Sequence, residues 1–216
     1  MKITKYFFAA LAILAITTTQ LAAQSGAAKT FTVDTQKSSL VWTGKKIGGE
    51  HTGNISLTSG SLQVAKNKLV GGAFEIDMNS ITNTDLTDAG YNAKLVGHLK
   101  SDDFFGVEKH PKATFKITKA TPISGAKAGA SNYQITGNLT IKGKTETISF
   151  PATVKFNGDA AEAVAKITVD RSKFDVRYGS PSFFADLGDK ALDNEFIIDL
   201  KLVTTAASTT ATATGK

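Results

Sequence analysis

The chain has 216 residues with 25 basic and 19 acidic side chains, three histidines and no cysteine. This length allows one sizeable buried core, and the missing cysteines exclude a disulfide framework and a lipid-modified N-terminal cysteine. The formal charge of +6 becomes +4 without residues 1–23, and the lysines are scattered rather than clustered. Nucleic-acid binding needs a basic stripe with interleaved aromatic residues. We therefore predict no nucleic-acid partner, and at most a peripheral contact with a membrane.

Residues 1–23 have the pattern of a secretory signal peptide. Lys2 and Lys5 precede an apolar run over residues 6–16, and small residues follow at positions 22 and 23. The run is too short to span a bilayer, so we predict cleavage after about Ala23 and a periplasmic or secreted mature protein. Residues 24–30 are small and polar, which predicts a flexible lead-in.

Strand-like alternation dominates residues 31–78. Leu40 and Trp42 fall on one face, Ile55 alternates with Leu57, and a clear strand follows in which apolar residues occupy every second position. In that strand Phe74, Ile76 and Met78 share a face. Glycines at positions 44, 48, 49 and 53 can bend strands, as the wall of a barrel requires.

Residues 96–111, with Tyr91 and Leu95 just before them, interrupt the alternation with a helical pattern. Tyr91, Leu95 and Leu99 recur every four residues, which predicts a short helix with an apolar face. Ser101 can cap a second turn that presents Phe104 and Phe105. The pattern predicts a helical plug between two sets of strands.

Strands return after this plug. Alternating apolar residues at 115–117, 133–141, 148–156, 163–170 and 196–202 predict five more. Residues 171–193 form a second irregular stretch, in which Ser180 and Pro181 can begin a capped turn that carries Phe183 and Phe184. Residues 204–216 are rich in Thr and Ala, which predicts a disordered tail.

Eight or nine such strands predict an all-β antiparallel barrel or sandwich. A barrel of about eight strands can hold one elongated ligand, and the two phenylalanine pairs are candidate covers at its mouth. Packing of both pairs into a filled core is the alternative, because most aromatic side chains serve packing.

The chemistry-bearing residues are few. His51, His98 and His110 are widely spaced and announce no metal site, and neither a nucleophile elbow nor a phosphate-binding glycine loop is present. The only two arginines are Arg171 and Arg177. They can form either an Arg–Asp pair that ties a loop to the barrel or a polar clamp for a ligand's head group.

Four motifs resemble those of the YceI-like lipid/polyisoprenoid-binding proteins. Residues 97–105 (GHLKSDDFF), with Pro111 and the Thr-Phe pair at 114–115, are similar to the family's HL-x-S-x-DFF…P…TF core. Residues 137–143 (GNLTIKG), 170–174 (DRSKF) and 42–53 resemble three further elements, with Lys142 where many members have His. The resemblance covers about residues 31–203.

This resemblance implies a lipocalin-like barrel of about eight strands whose lumen binds a long isoprenoid, quinone-like or similar amphiphilic lipid. We interpret the protein as a non-enzymatic carrier or store that needs no cofactor or metal. The sequence does not decide between a monomer and a homodimer. The alternatives are an enzyme acting on such a lipid, or an envelope protein with a filled core that works by surface contacts. The candidate ligand-binding residues are Trp42, Phe74, Phe104, Phe105, Phe115, Phe150, Arg171, Phe174, Arg177, Phe183 and Phe184.

Overall fold

The computed structural model describes residues 28–205 and the backbone of 208–209, and most of this part of the chain is extended. The strands are β1 Lys29–Thr32, β2 Ser39–Lys46, β3 Gly49–Ala65, β4 Lys68–Asp77, β5 Lys112–Pro122, β6 Tyr133–Ile141, β7 Lys144–Asn157, β8 Ala160–Asp170, β9 Leu192–Val203 and β10 Ser208–Thr209. One helix, α1, spans Ala89–Lys100, and short 3₁₀ turns lie at Met78–Ser80, Arg171–Phe174 and Gly188–Lys190. The predicted signal peptide lies outside the described residues.

Strands β2 to β9 close into an eight-stranded antiparallel barrel. The order is β3-β2-β9-β8-β7-β6-β5-β4, and β3 closes the ring because it pairs with β2 through its first half and with β4 through its second. The predicted lipocalin-like barrel is therefore confirmed. Two tight hairpins support the register: Lys66-Asn67 and Lys142-Gly143 all have positive φ, as the two-residue turns that match strand twist require.

The period-two pattern sorts side chains between lumen and solvent. On β7, for example, Phe150, Ala152 and Val154 are buried, while Pro151 and Lys155 on the same strand are exposed. Successive side chains of a strand point to opposite faces, so each strand contributes one apolar row to the inside of the barrel.

One end of the barrel is filled by side chains that we call the floor, namely Phe31, Val33, Val64 and Tyr133, all at most 6% exposed. Phe31 on β1 lies 6.3 Å, between ring centroids, from Phe156, and the Tyr133 hydroxyl accepts a hydrogen bond from the Leu69 N–H. This end carries the short hairpins β3–β4 and β7–β8 and the β5–β6 loop. The floor therefore closes the lumen with packed apolar groups.

The two chain ends differ from the sequence prediction. Strand β1 starts at Lys29, inside the predicted flexible lead-in, and pairs with both β3 and β10. Thr204 is buried and bridges Val33, and Ser208–Thr209 forms β10, so the predicted disordered tail has an ordered beginning. The β1–β10 pairing and the Val33–Thr204 bridge join segments more than 170 residues apart, which local composition does not encode.

Both irregular connections, residues 78–111 and 171–191, lie at the opposite end, which we call the mouth end. Helix α1 begins after Asp88, whose carboxylate accepts the Tyr91 N–H, and ends at Lys100, with Ser101 as its C-terminal cap. Leu99 is buried as expected, but Tyr91 is 66% exposed, so the apolar face is shorter than the sequence predicted. Within the described ranges, α1 is not long and apolar enough to cross a membrane, nor is any other helix.

Candidate functional site

The barrel encloses a cavity of about 390 Å³ that opens at the mouth end. Its inner wall consists of aliphatic and aromatic side chains supplied by every strand from β2 to β9. Wall residues outside the set of predicted ligand-binding residues include Leu40, Ile55, Leu57, Ile76, Ile117, Ile135, Leu139, Ile148, Ala163, Ala165, Ile167, Ile198 and Leu200. All of them occupy the inward positions of the period-two pattern, so alternation alone would have found them.

Four predicted aromatic residues lie on this wall. Phe115 contacts two of the others, with ring centroids 6.3 Å from Phe74 and 5.6 Å from Phe150. A Cβ atom added at Gly137 would lie 2.5 Å from the Phe115 ring, so this glycine makes room for the phenyl group on the inner face. Trp42 is the fourth, and its indole N–H donates to the Thr82 carbonyl at 3.0 Å.

The first phenylalanine pair helps to cover the mouth end of the cavity. Phe104 is 8% exposed and lies 5.1 Å from the Phe105 ring, which in turn contacts Phe196 of β9 at 6.4 Å. Leu95 and Leu99 of α1 line the cavity beside them. The helical plug predicted from the sequence therefore caps the lumen.

Lys142 holds this cover in place. Its ammonium group donates to the carbonyls of Asp102 at 3.1 Å, Phe104 at 2.9 Å and Asp175 at 3.4 Å. It thereby ties the β6–β7 hairpin to the phenylalanine turn and to the 171–191 connection. The residue that departs from the family pattern has a positioning role here.

Arg171 lines the cavity at its mouth end and is only 3% exposed. Its Nε donates to the Asp193 carbonyl at 2.9 Å, its Nη1 to those of Val176 at 2.9 Å and Tyr178 at 2.8 Å, and its Nη2 to that of Leu192 at 3.1 Å. Burial lowers the pKa of the guanidinium, which the charges of Asp170 and Asp193 oppose. Arg171 thus ties a loop to the barrel, but through carbonyl groups rather than through the Arg–Asp pair considered from the sequence.

The opening has polar side chains, in contrast to the inner wall. Lys45, Lys46, His51, Asp193 and Glu195 line it from β2, β3 and β9. His98 and Tyr178 complete this rim from the two mouth-end connections, with ring centroids 4.3 Å apart in an edge-to-face arrangement. These residues were not predicted at the site, although His98 lies in the 97–105 motif and Lys45, Lys46 and His51 lie in the 42–53 element.

His51 is paired with Asp85 at the rim. The His51 Nδ1 lies 2.8 Å from the Asp85 carboxylate, which also accepts the Thr52 N–H at 2.8 Å and the Asn83 side-chain amide. Burial raises the pKa of Asp85, but these three hydrogen bonds outweigh it and lower the pKa to about 2. The carboxylate is therefore charged at any physiological pH.

Four predicted site residues do not line the cavity. Phe174 is 1% exposed and packs below the mouth-end connection, outside the lumen. Arg177 is exposed, pairs with Asp175 at 2.6 Å and lies 4.9 Å from the centre of the Phe183 ring. Phe183 and Phe184 are 39% and 50% exposed. The cavity lining therefore includes none of these four residues: the second phenylalanine pair faces outward from its turn, and Arg177, considered as a head-group clamp, pairs with Asp175.

The described ranges contain no cluster of three or more His, Cys, Asp or Glu side chains that could hold a metal ion. His51 and His98 both reach the rim, whereas His110 lies beside Gly143. The site is thus an apolar pocket with a polar opening.

Comparison with known proteins agrees with this architecture. The YceI-like domain profile matches residues 31–204, which include the whole barrel. This chain belongs to the YceI-like domain family.

A UPF0312 protein of Pectobacterium atrosepticum is 32% identical over 127 residues, 56% of this chain and 59% of the relative. A second, from Pectobacterium carotovorum, is 35% identical over 41% of this chain and 46% of its own length. The matches thus span about half the length of these relatives.

Two solved structures are similar over most of the chain. Burkholderia cenocepacia BcnA has a TM-score of 0.62 and 29% identity, covering 80% of this chain and 99% of BcnA. A polyisoprenoid binding domain from Saccharophagus degradans, implicated in plant cell wall breakdown, has a TM-score of 0.57 and 14% identity, covering 82% of this chain and 98% of the domain. At that identity the second likeness shows the fold alone.

Proposed function

We propose that this protein binds a long isoprenoid or a similar amphiphilic lipid in the barrel lumen, and that it acts as a carrier or store. The observation that carries the proposal is the distribution of polarity in one cavity. The inner wall is apolar throughout, whereas charged groups and imidazoles are confined to the rim. An amphiphile is divided in the same way: its apolar tail matches the wall, and its polar head group matches the rim.

The energetics favour such a ligand. Transfer of a hydrocarbon chain from water to an apolar site is favourable by about 0.8 kcal/mol per methylene, so a single five-carbon isoprene unit supplies several kcal/mol. The cavity volume of about 390 Å³ falls within the range of roughly 300–1,000 Å³ common for small-molecule sites. The name of the Saccharophagus domain adds support from a related fold.

An open lumen also argues against a role through the outer surface alone. A cavity inside a protein costs stability, because its lining forgoes packing contacts and the transfer energy of the missing groups. A barrel that worked only by surface contacts would gain stability from larger inward side chains. Positions such as Ala163 and Ala165 leave the space unfilled.

Native mass spectrometry with organic extraction of freshly purified protein tests the proposal. We expect a co-purifying lipid, or uptake of an added isoprenoid alcohol such as farnesol at one molecule per chain. Failure of both would refute lipid binding in the lumen.

We also propose that this work takes place in the periplasm or outside the cell. The support is the pattern of residues 1–23, in which two lysines precede a short apolar run. N-terminal sequencing of protein from the cell envelope is expected to begin near Gln24. An intact Met1 on protein from the cytosol would overturn this assignment.

A further inference from the structure

We infer that the mouth end docks on the surface of a lipid bilayer by inserting the apolar tips of its loops. This inference rests on the proposed function, because docking on a bilayer serves a protein that takes up or delivers a lipid. Eight large hydrophobic side chains are exposed in the described part of the chain. Five belong to mouth-end segments, namely Ile47, Tyr91, Tyr178, Phe183 and Phe184, and only Ile123 belongs to a loop at the floor end.

The exposed phenylalanines sit on a turn that is firmly anchored. Ser180 is fully buried, its hydroxyl donates to the Asn194 side chain at 2.6 Å, and its carbonyl accepts the Phe183 and Phe184 N–H groups at 3.1 Å each. The Asn194 amide also donates to the Ser182 hydroxyl at 2.7 Å. The turn is thus tied to the first residues of β9, and the outward position of both rings is part of the fold.

Two of these apolar tips lie at the opening of the cavity. Tyr178 lines the rim itself, and Ile47 follows directly after the rim residues Lys45 and Lys46 at the tip of the β2–β3 hairpin. A partner that covers these tips therefore also covers the opening. For a water-insoluble cargo, a bilayer is the phase in which the cargo is dissolved, so contact at this end shortens its path through water.

The charges near the tips distinguish insertion from electrostatic adsorption. Lys94 lies over the Tyr91 ring and Arg177 over the Phe183 ring, at 5.6 and 4.9 Å from the ring centroids. Such cations can stay at head-group level while the rings enter the interface, as aromatic and basic residues do in membrane proteins. The mouth-end connections 47–48, 78–111, 142–143 and 171–191 nevertheless contain eight acidic and eight basic residues. Net attraction to anionic lipid is therefore weak, and apolar insertion is the main source of affinity.

Vesicle flotation tests the inference. The purified protein is mixed with vesicles of phosphatidylcholine alone or with added phosphatidylglycerol, at low and high salt. We expect it to float with both, with little effect of salt. The double variant Phe183→Ser/Phe184→Ser is expected to partition about tenfold less into vesicles. Transfer of two half-exposed rings from water to the bilayer interface contributes at least about a factor of ten to the partition coefficient. Val164→Ser removes an equally exposed apolar residue from the barrel wall and should float like wild type.

Farnesol uptake from solution, without vesicles, is measured on the same proteins and separates docking from lipid binding. We expect the double variant to keep this uptake. Wild-type protein that binds farnesol but floats with neither vesicle overturns docking and leaves the proposed function intact. Flotation that requires phosphatidylglycerol, disappears in high salt or survives the double substitution also overturns it. Flotation lost in the double variant supports docking even if no farnesol is bound.

Discussion

Replacement of Arg171 by lysine is the most direct test of how the mouth end is held together. The guanidinium donates to four carbonyls in two separate segments, 176–178 and 192–193. A lysine ammonium is a single compact nitrogen, so it can take only one of the three positions that Nε, Nη1 and Nη2 occupy between these segments. At least two buried carbonyls then lose their donor at about 1–3 kcal/mol each, so we expect the free energy of unfolding to fall by roughly 2–6 kcal/mol.

Arg177→Lys is the matched control, because it makes the same chemical change at the only other arginine. The Arg177 side chain is 58% exposed and its pair with Asp175 is at the surface, so we expect a loss below about 1 kcal/mol. Equilibrium unfolding in guanidinium chloride, followed by circular dichroism on lipid-free protein, gives both values. Equal losses, or an Arg171→Lys protein as stable as wild type, would show that the carbonyl network does not hold the loop.

Three further predictions concern the cover, the lumen and the rim. Lys142→Met removes three hydrogen bonds to carbonyls and should lower the unfolding free energy by about 1–3 kcal/mol in a denaturant titration. The control Lys144→Met should have little effect. Similar losses of stability in the two variants would contradict the positioning role of Lys142. Ala165→Phe adds a ring to the open lumen, so farnesol uptake should fall while the fold persists. The control Val164→Phe lies on the outer face and should bind farnesol normally. Unchanged uptake by Ala165→Phe would place the ligand elsewhere. Asp85 has a pKa of about 2 in the folded state against an ordinary 3.8, so its stabilising contribution is present above about pH 4 and is lost as the pH falls towards 2. The stability difference between wild type and Asp85→Asn should therefore shrink over that range in acid titrations, and a difference that grew would have the wrong sign.

The barrel wall could be predicted from the sequence because its signal is local. Each strand repeats apolar residues every second position, and only one face of such a strand can be buried. Phe74, Phe115 and Phe150 accordingly line the cavity, on the face that the alternation predicts. The same rule covers the aliphatic wall residues, which sequence analysis left out only because it favoured aromatic side chains.

The mouth end could not be predicted in the same way. Both phenylalanine pairs follow a serine at the same spacing, yet Phe104 is 8% exposed and Phe184 is 50% exposed. The difference arises from distant neighbours: Arg171 lies 5.5 Å from the Phe104 ring and Lys142 binds its carbonyl, whereas the second turn is anchored through its backbone and its serines. Contacts between segments 38 or more residues apart leave no trace in a local pattern.

The packed floor has a consequence for selectivity. Because the lumen has a single opening, its depth limits the length of chain that it can enclose. A chain-like ligand has to enter tail first, and carbons beyond the depth of the lumen stay in water. For a series of prenyl alcohols of increasing length, affinity should rise with each isoprene unit and level off once the tail fills the lumen down to the end that the floor closes. Calorimetric titration of the series locates this plateau and so measures the usable depth; a steady rise with no plateau would mean that the floor opens.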